Sequence, residues 1–310
     1  QEESAKRYGK SDFFAIDLVK YLDGVGRREQ GLEKVEEALV YLEQARDLNK
    51  KSVQEKSEGE KLLKTLKAED PEAVKVPVWQ HLDQVQALEV EVQQLQYLAQ
   101  RTLHDALLFD ASLSEAHTEL AMIAREAHHQ AELKSKSFEA KKQESIIKHH
   151  LPFVKVDKAS NLQRYLAPQA PLSLKFAVPK ETSIEISAQP YQVHNRRLIL
   201  GEKKVWSNTY ELHQEVSLGT YLLTIKAEGY DELKYPIVVE RERGWSSTPP
   251  GETLVKPIPL IPKGKTPTAF HYVPEGWFYT GGDPLVSNNI EHKRRLWLDG
   301  FLMAEKHVTH

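Results

Sequence analysis

The chain has 310 residues, a formal net charge of -3 and no cysteine. This length predicts two or three domains, and the small net charge gives no reason to expect nucleic acid or an anionic membrane as a partner. Disulfides and thiolate metal sites are excluded without cysteine, which fits a reducing compartment, so we expect the protein to be cytoplasmic. No apolar run approaches the roughly eighteen residues that a membrane span requires.

The composition changes near Leu151, because almost all prolines and most glycines lie beyond it. The sequence therefore predicts a multidomain α plus β protein. We expect a long helical hairpin or coiled-coil rod at residues 30–150 and a small β-sandwich at residues 171–247, with linkers at 151–170 and 248–267. Residues 1–29 and 268–310 are expected to be incomplete domains.

The first predicted element is a short helix, with Ser11 as its N-cap, an apolar face and Gly24 as a left-handed stop. This segment resembles the end of the large lobe of bacterial protein kinases of the eukaryotic-like serine/threonine class. The matching residues are Arg7, Tyr8, Ser11, Phe14, Asp17, Leu18, Tyr21, Leu22, Asp23 and Gly24.

The kinase resemblance implies a structural role for Arg7, which would pair with a glutamate upstream of this chain. The phosphate loop, the strand lysine, the catalytic aspartate and the metal-binding motif of that family are not found in residues 1–310. We therefore expect no catalytic, cofactor-binding or metal-binding residue in this chain. ATP and Mg²⁺ are expected only for the missing kinase lobe.

Two long helices follow, separated by Asp70-Pro71 and Pro77. Leu32, Val35, Leu39 and Leu42 form one apolar face, while spacings of three and four join Val85, Leu88, Val92, Leu95 and Ala99. Residues 99–121 resemble one tetratricopeptide helix-turn-helix, on Ala99, Leu103, Ala106, Leu107, Asp110, Ala116, Leu120 and Ala121. The charged outer faces predict a solvated surface.

Histidines are frequent in this half of the chain, and His117 precedes the doublets His128-His129 and His149-His150. Adjacent residues on a helix point about a quarter-turn apart, so a doublet is not a chelating pair, and H-E-x-x-H is absent. The pattern predicts solvated histidines and no metal site.

Apolar residues alternate from Pro171 to Leu260, which predicts strands with turns at Pro179, Asn195, Gly201, Gly219 and Gly229. One part resembles the PEGA-type carbohydrate- or surface-associated β-domain, on Leu218, Gly219, Tyr221, Leu223, Ile225, Ala227, Gly229 and Tyr230. Trp206, Trp245 and Tyr191 suggest either an aromatic platform for a sugar or core and edge packing. We favour packing and assign no ligand.

Six prolines favour an extended inter-domain linker at residues 248–267. Two apolar runs, at Phe270 to Val273 and Leu296 to Leu298, then flank a glycine-rich loop, a pattern that predicts a strand, a long loop and a second strand. This last stretch resembles the opening of the formylglycine-generating, sulfatase-modifying-factor family. The matching residues are Val273, Pro274, Gly276, Phe278, Gly281 and Gly282, then Arg295, Leu298, Asp299, Gly300, Phe301, Val308 and Thr309.

The order of the three resemblances suggests a non-catalytic spacer and sensor or docking region of a bacterial serine/threonine kinase that also carries a sulfatase-modifying-factor-type domain. The parent reaction would be ATP-dependent phosphorylation of protein serine or threonine. A second hypothesis is a non-enzymatic interaction protein, and a third is a formylglycine-generating oxidase whose cysteine pair would lie outside these residues. Protein partners or substrates are expected, and the helices offer a surface for oligomerisation.

Overall fold

The computed structural model of the chain describes residues 11–67, 69–134, 136–195, 197–281 and 294–306. Helices fill the first half and strands the second, so the predicted α plus β class is confirmed. The described residues divide into two compact units: one within 1–129 and 138–160, the other within 130–137 and 161–310. The helices are α1 (Ser11–Leu63), α2 (Glu72–Phe109), α3 (Ser114–Leu133), α4 (Ser137–His150) and α5 (Val156–Leu166).

Helix α1 is a single element of 53 residues, about 80 Å long. The predicted stop at Gly24 is wrong, because Gly24 is not among the glycines that adopt positive φ. A glycine ends a helix through a left-handed conformation; otherwise it only weakens the helix by about 1 kcal/mol. The helix therefore continues without a break across residue 29, where the sequence predicted a domain boundary.

Helices α1 and α2 pack side by side in opposite directions. Small residues recur at every seventh position of α1, at Gly31, Ala38, Ala45, Ser52 and Gly59, and all five are buried. A Cβ at Gly31 would lie 3.3 Å from the carbonyl oxygen of Ala106 on α2. The backbones approach closely along this line of small residues, so the predicted inward position of Leu39 is wrong and its side chain is 40% exposed.

The chain reverses between Leu63 and Glu72, and Asp70-Pro71 lies in this turn as predicted. Pro77 was predicted between the two helices but lies inside α2. Because proline has no backbone N–H, the helix lacks one hydrogen bond at this position. Helix α2 ends at Phe109, and the Asp110 carboxylate accepts hydrogen bonds from the backbone and hydroxyl of Ser112. Helices α2 and α3 form a helix-turn-helix here, with Leu103, Ala106, Leu113, Ala116 and Leu120 in one core.

The segment predicted as a linker at residues 151–170 is folded. A 3-10 turn at Leu151–Phe153 leads into α5. Leu162 and Tyr165 on this helix are each 1% exposed, and the carbonyl oxygen of Tyr165 accepts a 2.6 Å hydrogen bond from Arg241. The linker prediction is wrong, because Leu162 and Tyr165 give α5 the buried face of a short amphipathic helix.

The second unit contains two sheets that share one core. Strand order is β5-β1-β8 in one sheet, with β9 also on β1, and β3-β2-β6-β7 in the other, with β4 also on β2. The strands are β1 (Gln169–Ala177), β2 (Ile184–His194), β3 (Arg197–Leu200), β4 (Lys204–Ser207), β5 (Glu211–Ser217), β6 (Gly219–Ala227), β7 (Leu233–Val239), β8 (Trp245–Ser246) and β9 (Ile258–Pro259).

Apolar residues at alternate positions place one face of each long strand in this core. Leu172, Leu174 and Phe176 of β1 are buried against Leu223 and Ile225 of β6 within the same cluster. The predicted turns at Asn195 and Gly229 are confirmed, and both residues adopt positive φ.

The proline-rich segment at residues 248–267 is extended as predicted, but it lies against the sheets. Ile258 is fully buried and its strand β9 pairs with β1. Farther along, Asp231 accepts hydrogen bonds from the backbone of Gly264 and from the hydroxyl of Thr266, at 3.1 and 2.8 Å. The prediction of an inter-domain linker outside any folded core is wrong, because Ile258 and Leu260 lie between prolines and are buried in the core of the sheets.

Four further strands follow: β10 (Phe270–Val273), β11 (Gly276–Thr280), β12 (Arg294–Leu298) and β13 (Phe301–Ala304). β10 pairs with β13 and β11 with β12, both antiparallel. Strands were predicted at Phe270–Val273 and at residues 296–298, whereas β11 and β13 were not predicted. Among the helices that the structure describes, none combines the length and apolar character needed to cross a bilayer.

Candidate functional site

The most developed contact site in the second unit lies where the chain leaves β10 and enters β11. Tyr235 of β7 is 3% exposed, and its hydroxyl donates a 2.7 Å hydrogen bond to the backbone carbonyl of Glu275. Tyr272 also packs against the sheet core. The part of the last stretch around Tyr272 and Glu275 is therefore bound to the sheets.

The side chain of Glu275 is buried with a compensating cation. Glu275 is 8% exposed, and its carboxylate lies 2.6 Å from Nζ of Lys256, in the segment between β8 and β9. The hydrogen bond to Glu275 raises the pKa of Lys256 above its ordinary value. Burial, and to a lesser extent the charge of Glu275, raises the pKa of Tyr235 far above its ordinary range, so this phenol stays a donor.

The backbone at position 276 lies so close to the Tyr235 hydroxyl that only glycine fits there. A Cβ at this position would overlap the Tyr235 hydroxyl, so a larger residue would separate β11 from β7. The next residue, Trp277, donates a hydrogen bond of 2.9 Å from its indole to the carbonyl of Thr248. Arg295 of β12 lies over the Trp277 ring at 4.2 Å from the centroid. These contacts form what we call the β10–β11 joint, defined by Tyr235, Lys256, Glu275, Gly276 and Trp277.

A separate cleft of about 450 Å³ opens elsewhere on the sheets. Trp206 and Tyr221 line it with their ring centroids 5.0 Å apart, and Tyr221 donates a hydrogen bond to the carbonyl of Ser217. Amide side chains form part of the wall, at Gln169, Gln192 and Gln214, and three charged residues also line it, namely Glu202, Lys204 and Glu215. Aromatic rings with planar amides provide apolar surface and paired hydrogen-bonding groups for a small polar molecule.

The three aromatic residues considered for a sugar platform do not come together. Trp245 is 1% exposed, within the core, and packs edge-on against Tyr235. Trp206 lines the cleft, but Tyr191 is not among the lining residues. The partner of Trp206 is Tyr221, which the sequence indicated as one of the residues of the PEGA-like strand but not as part of an aromatic platform.

The prediction that the histidines are solvated is wrong for three of them. His117, His128 and His150 are each at most 4% exposed. Nδ1 of His117 lies 2.8 Å from Nδ1 of His150, and the His117 ring stacks on Phe153. Burial lowers the pKa of His150 to about 4, with smaller contributions from His117, His149 and His104. At neutral pH the His150 ring is therefore uncharged.

Arg7, the one residue assigned a structural role from the sequence, lies outside the described residues. Within α1, the apolar residues of the kinase-like segment are exposed: Phe14, Leu18, Tyr21 and Leu22. In the sulfatase-modifying-factor-like segment, Val273, Pro274, Gly276, Phe278 and Gly281 are described, while Gly282, Val308 and Thr309 are not. ATP and Mg²⁺ remain expectations for a lobe outside these residues.

The arrangement of the β10–β11 joint is suited to holding two chain segments together. Its groups form a buried hydrogen bond, an ion pair and an aromatic-cation contact, which explains specific docking without any reacting group. No protein-family model, curated protein or solved structure matches the chain. The functional argument therefore depends on the residues and contacts described above.

Proposed function

We propose that the chain is the non-catalytic spacer and docking region of a multidomain bacterial serine/threonine kinase that also carries a formylglycine-generating-enzyme-like domain. The helices would be a coiled-coil spacer, and the two sheets a PEGA-like β-sandwich. The parent protein would transfer phosphate from ATP to protein serine or threonine in the cytoplasm. Its partners would be other proteins, and the helices could also mediate self-association.

The observation that carries this proposal is the β10–β11 joint. Val273, Pro274 and Gly276 are among the residues that resemble the sulfatase-modifying-factor family, and they lie at the point of contact with β7. A spacer that only separated domains would need no such contact. A docking region needs one, because the start of the downstream domain must be held in a fixed position on the sheets.

The proposal is tested by the coding sequence upstream of Gln1 and by the protein that it encodes. We expect a phosphate loop and a catalytic-loop aspartate there, and ATP-dependent phosphorylation of serine or threonine by the extended protein. Substitution of that aspartate by asparagine should abolish the phosphorylation. An open reading frame without these motifs would refute the kinase assignment.

The second candidate function is that of a non-enzymatic binding module, and the Trp206 cleft favours it. Its wall combines aromatic rings and amides with the charged side chains of Glu202, Lys204 and Glu215, so it offers stacking surface and many hydrogen-bonding groups for a polar molecule such as a sugar. Titration with neutral oligosaccharides, followed by tryptophan fluorescence, should give a saturable change that Trp206→Phe removes. An unchanged signal from Trp206→Phe would exclude the cleft as the binding site.

A further inference from the structure

Helices α1 and α2 carry a set of metal-ligating side chains that no sequence motif indicates. Among the described residues, Glu55 and Glu58 of α1 and His81 of α2 place one ligand atom each within 4.8 Å of one another. The His81 Nδ1 atom lies 2.7 Å from the Glu55 carboxylate. We propose that these three side chains bind a divalent transition-metal ion, such as Zn²⁺, that cross-links the two helices.

The spacing of the three residues follows from the helical hairpin. Glu55 and Glu58 are three residues apart, so both lie on the same side of α1. The antiparallel packing brings His81 beside them, although it is 26 residues from Glu55 in sequence. Gly59 lets the helices approach, since a Cβ there would lie 3.2 Å from Cβ of His81.

The geometry is close to that of a bound ion. Zinc bonds to histidine nitrogen and carboxylate oxygen are about 2.0–2.2 Å long, so ligand atoms around one ion are separated by roughly 3–4 Å. Small rotations of the three side chains bring them from their present separations into this range. The ion would replace the direct hydrogen bond between His81 and Glu55.

The donor types select the class of metal. One imidazole and two carboxylates suit Zn²⁺ and neighbouring transition metals, whereas Ca²⁺ and Mg²⁺ prefer oxygen ligands alone. Gln54 donates a 3.2 Å hydrogen bond to the Glu58 carboxylate, a contact that orients a ligand from outside the coordination sphere. Three protein ligands leave at least one position for water.

The test uses the full 310-residue chain, freed of metal and titrated with Co²⁺ and then Zn²⁺. We expect one Co²⁺ per chain with visible absorption bands, which Zn²⁺ removes by competition. His81→Gln and Glu58→Gln should each weaken binding by at least about tenfold. The matched control is His129→Gln, an exposed histidine on α3, which should leave the affinity unchanged.

The melting temperature with and without Zn²⁺ distinguishes binding at the proposed site from binding at other histidines. Zn²⁺ should raise the melting temperature of the wild-type helices, because the ion binds only when both helices are in place, and it should not raise that of His81→Gln. Glu58 is exposed, so Glu58→Gln should fold normally and keeps the test valid if His81→Gln does not fold. Equal Co²⁺ affinity in wild type, His81→Gln and Glu58→Gln would overturn the proposal.

Discussion

Replacing His150 by asparagine should remove part of the pH dependence of the free energy of unfolding. The folded protein holds the pKa of His150 at about 4, against 6.5 for an unperturbed histidine. Between about pH 6.5 and pH 4, His150 therefore binds a proton in the unfolded chain but not in the folded chain. The stability that depends on neutral His150 is fully present above pH 6.5 and is lost as the pH falls towards 4.

The size of this effect follows from the shift in pKa. Each pKa unit corresponds to about 1.4 kcal/mol, so the loss approaches roughly 3 kcal/mol at the acidic end of the interval. Asparagine can place an amide near the position of the imidazole Nδ1 and cannot take up the proton. In the variant, the hydrogen bond to His117 is kept while the titration is removed.

Urea unfolding followed by far-ultraviolet circular dichroism measures this difference at about pH 7.5 and about pH 4.5. Carboxylates also titrate in this range, but they do so equally in wild type and variant. His129→Asn is the control, because His129 is exposed. The same loss of stability in wild type and in His150→Asn would show that His150 is not held neutral and would refute the argument.

Three further substitutions test the packing. Ala106→Leu introduces bulk where α1 and α2 touch and should lower the free energy of unfolding of the helices by about 1–3 kcal/mol, measured by urea unfolding; a stable variant would disprove the close approach. Ile258→Ala should destabilise the sheets by about 2–5 kcal/mol, measured by tryptophan fluorescence, and no effect would mean that the proline-rich segment is not part of the core. Tyr235→Phe removes the donor to the Glu275 carbonyl and should cost about 1–3 kcal/mol in the same assay, whereas the exposed Tyr97→Phe should cost nothing.

Periodicity in the sequence was enough to predict helices followed by sheets. Val85, Leu88 and Val92 are spaced by three and four residues, and apolar residues alternate along β1. Both patterns depend only on the geometry of a single segment, so they can be recognised without knowing how the segments pack. Gly24 was misassigned because a glycine ends a helix only through its φ, and composition does not fix that angle. Leu39 was predicted to face inward because it continues the spacing of Val35 and its neighbours on one helical face, whereas the close approach of the helices buries Ala38 instead.

The sites were less predictable because they combine residues that are distant in sequence. His117 and His150 meet across 33 positions, and neither doublet pattern nor spacing signals their burial. Tyr235 and Glu275 are 40 positions apart, and Glu275 occupies an unassigned position between residues that resemble a known family. Gly276 was the one useful signal at the β10–β11 joint, because a glycine in an extended segment often marks a close approach of another group.

Hydrogen exchange over residues 270–280 tests most directly whether the last stretch of the chain is docked on the sheets. We expect the backbone amides of β11 to be protected to a similar extent as those of β7, because Gly276 lies against the Tyr235 hydroxyl. Gly276→Ala should raise the exchange rates of this segment selectively, whereas Gly26→Ala, at an open position on α1, should not. Rapid exchange of β11 in the wild-type protein would contradict the docking role.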